Sequence, residues 1–339
     1  MLDQLWEIVD SLNEEPKEWG EPFFGHNMYY EPKPLSTDNF NGFDGEGGER
    51  TICCVDGGNN KIYETPTDSV HLLRVYFNLF KGDKRVKNIT PFSSYLISKY
   101  EGDDIVSELR PLNDSIPLDE KMFRLKRSEV EDGRPVNAGH TVRKYLEWKT
   151  IEYAAEEFLR DGDIVVKDGV LQTGVEEERQ YADEAYGAVR ENDVYLIGLA
   201  KTCSLRTDKG YSLMAAIQTL ASDTEHESWY YHPVAENNNP DHAGEMAFVK
   251  YHPRSWYAFR TEFFKEQDIP VEEVLSELAY QAQDPIFLGY PYGLVDADKK
   301  ARVTDEEIDF IKNIGGNKLG SVFRHKINSM NAHDRLSNI

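Results

Sequence analysis

Two short apolar runs in this 339-residue chain each end in Asp-Gly: Thr51-Ile-Cys-Cys-Val-Asp56-Gly57 and Asp163-Ile-Val-Val-Lys-Asp168-Gly169. Their β-branched residues predict strands, and Asp-Gly predicts that a turn stops each one. Asp is a poor strand residue. At the end of a buried strand, its carboxylate stands at the rim of a sheet. Two such carboxylates on neighbouring strands, joined by a third from a helix, would hold divalent metal ions, which suits phosphodiester chemistry.

Two further acids fit the pattern. The helix predicted over 141–160 carries an apolar stripe at Ile151, Ala154 and Phe158, and Glu147 lies on it, four residues before Ile151. Glu152 and Glu156 fall off the stripe and read as solvated. A charge on a buried stripe must be paired, neutralised or metal-bound. In Gly289-Tyr-Pro-Tyr-Gly-Leu-Val-Asp-Ala-Asp-Lys-Lys-Ala301, Pro291 suits a first helical turn. Leu294 and Ala301 define one face, Asp298 shares it, and Tyr290 falls close to the same side. Asp296 lies off that face and is the blander acid. Asp56, Glu147, Asp168 and Asp298 suffice to surround two hard cations such as Mn²⁺ or Mg²⁺. Carboxylates so clustered raise one another's pKa, so bound cations are needed to keep all of them ionised.

Blander readings stand beside these. Asp-Gly is a common hairpin signal. Glu147 has a simpler role as the partner of Lys201 or an Arg. Lys201, after the strand Val194–Ala200, simply marks its exit; Tyr290 is a core residue; Asp298 faces solvent if its helix begins elsewhere. The co-occurrence of these signals carries more than any one of them.

The elements that must position these residues follow from periodicity. Residues 20–50 are loop or extension. Thr51–Val55 is a first strand, a turn follows at 56–60, Lys61–Glu64 starts a second strand, and Ser69–Phe80 is a third with a bulge near Arg74. Residues 81–137 are mixed and carry two basic stretches, Lys81, Lys84, Arg85, Lys87 and Lys121, Arg124, Lys126, Arg127. Helix 140–160, strand 163–167, helix 174–191, strand 193–200 and helix 211–221 come next. A polar loop over 223–244 surrounds a short strand at 229–232. Hairpin strands at 246–251 and 256–263, a helix over 271–283 and two helical segments within 288–314 complete the body; Thr304-Asp-Glu-Glu307 is a capping box. The fold class is α/β, a mixed sheet flanked by helices. The division expected is 1–50 as an N-terminal helix and extended arm, 51–314 as one domain, and 315–339 as a basic tail. The dinucleotide and P-loop glycine signatures are both missing.

Composition limits the function classes. The chain is 40% apolar with a net charge of −23, so phosphate contacts would need a local basic surface or bound cations. Cys53, Cys54 and Cys203 form no CxxC pair, which fits a reducing compartment without disulfides or a zinc cluster. His226, His232, His242 and His252 match no metal motif and read as surface loop histidines. The apolar positions of residues 1–13 predict an amphipathic helix rather than a signal peptide, and no run is long and apolar enough to cross a membrane. A cytoplasmic location is expected.

Strand-Asp56-Gly, Arg143-x-x-x-Glu147, strand-Asp168-Gly-x-Leu171, strand-Lys201 and Gly289-Tyr-Pro-Tyr-x-Leu-x-x-Ala-Asp298, in that order, resemble the NurA nucleases over about residues 50–305. The resemblance implies a ribonuclease H-like core and Mn²⁺-dependent cutting of single-stranded DNA, as endonuclease and 5′–3′ exonuclease. It also implies a homodimer, docking on a hexameric HerA-type ATPase, and resection of DNA double-strand breaks. The family's catalytic acids fall on Asp56, Glu147 and Asp168, and its motif tyrosine on Tyr290. Two positions depart: Gly58 stands where the family usually has Ser, and Asp298 where it often has His. On this reading Asp56 bridges two ions, Glu147, Asp168 and Asp298 complete their shells, Lys201 contacts the scissile phosphate, and Tyr290 orients water or strand. The competing reading is a catalytically weakened dimeric adaptor or DNA clamp for a HerA-type ATPase. An actin-like phosphotransferase is a third and would have to turn over ATP without DNA.

Overall fold

A computed structural model describes residues 2, 4–6, 16–25, 27–113, 121–316 and 320–330. The helix expected over 1–13 lies outside the described residues, apart from Leu2 and Gln4–Trp6, which are helical. The strands of the main sheet are β1 (Phe40–Gly42), β2 (Thr51–Glu64), β3 (Asp68–Lys81), β4 (Lys84–Lys87), β5 (Phe92–Glu101), β6 (Asp104–Pro111), β7 (Met122–Lys126), β8 (Ile164–Asp168), β9 (Tyr195–Ala200), β10 (Trp229–Tyr231), β11 (Gly244–Lys250) and β12 (Phe259–Phe264). The helices are α1 (Ala138–Glu157), α2 (Glu176–Glu191), α3 (Leu213–Leu220), α4 (Val271–Tyr280), α5 (Tyr292–Ala301), α6 (Asp305–Gly316) and α7 (Ser321–Met330).

Alternation along the central strands sorts their side chains into two layers. Ile52, Cys54, Ile164, Val166, Ile197 and Leu199 face α4 and α5. Cys53, Val55, Val165 and Leu196 face α1 and α2. The sheet order is β1-β10-β11-β12-β9-β8-β2-β3-β5-β6-β7, with β4 beside β3. β8 runs parallel to both β2 and β9, and its burial on both faces suits its continuous apolar sequence. The remaining neighbours pair antiparallel. Before β2, the chain is stitched to the body: Pro22–Phe23 pairs with Arg206–Thr207, and Tyr30–Pro32 with Ala235–Asn237.

Two expectations need correction. Asp56-Gly57 is no turn: β2 runs unbroken through 56–60, paired residue by residue with β3 from Thr51↔Lys81 to Lys61↔His71. The glycines there serve close approach instead. A Cβ on Gly57 would stand 2.6 Å from Glu147 Oε1, and one on Gly58 2.3 Å from the Ala301 carbonyl oxygen at the end of α5. Asp168-Gly169 does end its strand, with Gly169 at φ +106°. Second, the mixed stretch 81–137 contains β4–β7. The buried positions of β5 alternate Phe92, Ser94, Leu96, Ser98, so serines break the apolar pattern; Ser98 Oγ lies 2.8 Å from Ser107 Oγ on β6, satisfying both inside the sheet.

Among the described residues no helix is long and apolar enough to cross a membrane.

Gly58→Ser, the residue usual in the resembled family, is expected to destabilise this chain by about 1–3 kcal/mol through overpacking against the backbone of α5. Urea denaturation checks it: a midpoint equal to or above that of the parent protein refutes the packing argument.

Candidate metal centre and active site

Strand register brings the first two acids together. Val55 pairs with Lys167 across parallel β2 and β8, so Asp56 and Asp168 sit at one level on neighbouring strands. Both continue the alternation that faces α5. Lys201 follows the end of β9 on the other side of β8. Asp298 comes down from α5. One oxygen from each of Asp56, Asp168 and Asp298 lies within 4.8 Å of the others.

The approach of α5 is set by small side chains and one polar anchor. A Cβ on Gly293 would stand 2.6 Å from Cys54 Sγ, so only glycine lets the helix lie this close to β2. Asp296, the acid read as bland, is buried: Asn78 Nδ2 donates to it at 2.9 Å and Arg85 Nη2 at 2.8 Å. It pins α5 to β3 and the β3–β4 hairpin while Asp298, two residues on, remains part-exposed at the site.

Charge balance in the cluster is asymmetric. Lys201 Nζ donates to Asp168 at 2.6 Å and to Asp298 at 3.0 Å, and Arg302 Nη2 donates to Asp298 at 2.6 Å. These cations outweigh burial and hold the Asp298 carboxyl below its ordinary range. The same carboxylates, with Asp56, outweigh burial at Lys201 and raise its pKa. Asp56 has only the Gly57 N–H at 2.7 Å as a hydrogen-bond donor. Burial first, then Asp168 and Glu147, push its pKa up to about 7.

Glu147 occupies the other face of the sheet. It is buried, pairs with Arg143 and lies 3.5 Å from Lys167 Nζ. Arg143 Nη1 also donates to the Gly57 carbonyl at 3.0 Å. Glu147 therefore reaches Asp56 only across the bare backbone of Gly57, and it stands outside the trio of close oxygens. Tyr290 is buried beside the trio, and its hydroxyl has no hydrogen-bond partner among the described residues. Burial, then Asp168, raise its pKa.

Three carboxylates, one with its pKa raised by burial and the other acids, form a hard-ligand set that fits a divalent cation. The orphaned Tyr290 hydroxyl is a ready partner for water or ligand oxygen. A cleft of about 440 Å³ opens on the same point, with Lys201, Asp298 and Arg302 at one end and Tyr257, Phe259 and Phe287 along it.

Lys167, Arg143 and Arg302 were not singled out as site residues by sequence reasoning. Arg143 and Arg302 each lie four residues from an acid, a helical pairing signal that was available. The loop histidines require a correction too: His242 is fully buried, 3.0 Å from Glu262 Oε2 and 2.9 Å from the Tyr30 hydroxyl, because the arm and the 223–244 loop close over it. His252 is also buried. Of the basic stretches, Arg85, Arg124 and Lys126 are engaged by acids.

The fold is that of a mixed α/β protein, a large sheet flanked by helices whose central strands present two aspartates to a third on a helix. Within that class the chain belongs to the NurA family of nucleases: the NurA domain model matches residues 50–303. The crystal structure of the NurA nuclease from Sulfolobus solfataricus is similar over 94% of this chain and 93% of that one, at 14% identity and a TM-score of 0.51. The A. aeolicus Argonaute structure, at 12% identity and a TM-score of 0.31, covers 75% of this chain and 28% of that one. No curated protein sequence matches the chain.

Asp56→Asn is expected to stabilise the metal-free protein at neutral pH. The folded carboxyl keeps its proton to about pH 7, whereas the ordinary value is 3.8. The folded state therefore binds more protons across this window, and parent stability falls as pH rises through it. The neutral amide escapes that loss, so the gap should grow from near zero at pH 4 to roughly 1–4 kcal/mol at pH 8. Denaturation in EDTA at both pH values measures it, and a pH-independent gap contradicts the electrostatic account.

Proposed function

We propose that this chain is a metal-dependent DNA nuclease acting on single strands, as an endonuclease and a 5′–3′ exonuclease. The single observation that carries the reading is the meeting of Asp56, Asp168 and Asp298 within 4.8 Å beside Lys201. A ribonuclease H-like core belongs to the same proposal. It is supported by the antiparallel trio β5-β3-β2 followed by β8 and β9, in spatial order and parallel to β2.

Asp56, Asp168 and Asp298 would hold Mn²⁺ or Mg²⁺, two ions in the full reading, while Glu147, expected as the fourth ligand, lies on the other face of the sheet. Such ions polarise a phosphate and lower the pKa of the attacking water. Lys201 is placed to meet a phosphate oxygen, since its ammonium already lies among carboxylate oxygens. Tyr290 would donate its free hydroxyl to the water or the strand. Glu147, neutralised by Arg143 and Lys167, steadies the backbone at Gly57 and acts on Asp56 through its charge. The family resemblance adds a homodimer, a HerA-type hexameric ATPase as partner, and work at double-strand-break ends.

The test is cleavage of a single-stranded oligonucleotide in Mn²⁺. EDTA should abolish cutting, and Asp168→Asn should reduce it by more than roughly a hundredfold, beyond what outer-shell partners typically cost. Undiminished cleavage by Asp56→Ala or Asp168→Asn rules out this site. Firm binding to a HerA-type ATPase with no metal-dependent cutting by the parent protein would favour the adaptor reading instead.

A further inference from the structure

The cleft beside the acids has a feature that metal binding does not use. From Lys201 outward, aromatic rings follow one another. Lys201 Nζ lies 6.0 Å from the Tyr290 ring centroid, Tyr290 and Phe259 are 5.0 Å apart, and Phe259 and Tyr257 are 6.5 Å apart at a tilt of 36°. The track thus runs from Lys201, which is bonded to Asp168 and Asp298, to the surface. Tyr257 is 66% exposed and Trp256 90% exposed. Exposed rings of this size usually mark recognition.

The backbone that carries Trp256 and Tyr257 is held in place. Ser255 Oγ accepts from Tyr257 N at 3.0 Å and donates to the Tyr257 carbonyl at 3.2 Å, and Gln218 Nε2 donates to the Trp256 carbonyl at 3.0 Å. Gly289, at φ +88°, makes room for Ser255: a Cβ there would stand 2.4 Å from Ser255 Oγ. Cations rim the cleft. Arg302 lines it with Lys201, and Lys299 Nζ lies 4.9 Å from the Phe287 ring centroid. At about 440 Å³ the cleft has small-ligand dimensions, within the roughly 300–1,000 Å³ usual for such sites.

We propose that this cleft seats one unpaired nucleobase of the substrate strand, stacked on Tyr257, next to the phosphate that is cut. The proposal rests on the nuclease reading and deepens it. The occupant follows from continuity: an apolar, aromatic slot that shares Lys201, Tyr290 and Asp298 with the acid site would receive what is attached to the scissile phosphate. A base can enter only after leaving its duplex partner, so the cleft makes strand separation a condition of cutting. Tyr257 is here a positioning residue, acting on the base and not on the reacting atoms.

The experiment uses the full chain and a fluorescent single-stranded oligonucleotide, with a second set bearing one abasic residue at successive positions. Binding is read by anisotropy in EDTA, where nothing is cut, and cleavage by kinetics in Mn²⁺. Tyr257→Ala should weaken binding and raise KM about tenfold, the loss of one base stack, with a much smaller change in kcat. Tyr257→Phe should behave as the parent. In the parent, one abasic position should carry the same penalty, and Tyr257→Ala should add nothing at that position. Parent-like binding by Tyr257→Ala, or abasic penalties that add fully to those of the variant, would overturn the stacking site while leaving the nuclease reading intact. A parent protein that neither binds nor cuts would overturn both.

Discussion

Like charges on adjoining strands, where β8 ends beside the middle of β2, are the constraint around which this molecule is built. Asp56 and Asp168 stand at one level on adjoining strands, and α5 adds Asp298 to the same point. Their repulsion is unscreened on the core side, where Cys54, Val166 and Leu199 pack. Each acid is therefore answered differently. Lys201 and Arg302 answer Asp298, Lys201 answers Asp168, and Asp56 is left with its pKa pushed up to about 7. A cation among the three carboxylates would relieve that repulsion.

Two neighbouring acids on α5 divide the work. Asp296 and Asp298 are two residues apart, about 200° around the helix. Asp296 is buried and fixed by Asn78 and Arg85, both reached from β3 and the hairpin beyond it. That anchor sets the rotation of α5, and the rotation sets where Asp298 points. The close contacts at Gly293 and Gly58 set its height above the sheet. Binding geometry at the acid cluster is thus maintained by groups that would not touch a ligand, a division common in metal sites.

Much of this was legible in the sequence, for identifiable reasons. Asp56 and Asp168 announced themselves because carboxylates follow runs of β-branched and apolar residues, and Glu147 because it sits on an apolar helical stripe. The stripe argument also placed Asp298 beside the core. It misjudged Asp296, since its partners Asn78 and Arg85 lie more than 200 residues away and no local pattern encodes them. The Asp56-Gly57 turn failed for the converse reason. Locally the dipeptide favours a turn, but the pressure of α1 and α5 on that backbone, which makes glycine necessary, is tertiary. Strand β5 hid because serines occupy half of its buried face. His242 hid because the arm that covers it is far away in the chain.

The overall acidity then bears on how an anionic polymer would be held. Acids outnumber Lys and Arg by 61 to 38, and Arg85, Arg124 and Lys126 of the basic stretches are already matched to acids. A net charge of −23 repels a nucleic acid at a distance and concentrates divalent cations near the surface. On the proposed reading, recognition would be short-range: ions gathered by Asp56, Asp168 and Asp298 would neutralise the phosphate locally, and the Tyr257–Phe259–Tyr290 rings would supply contact that does not depend on charge. Such a division would tie grip to chemistry, holding a strand firmly only where a cation sits among the acids and a base has left its duplex.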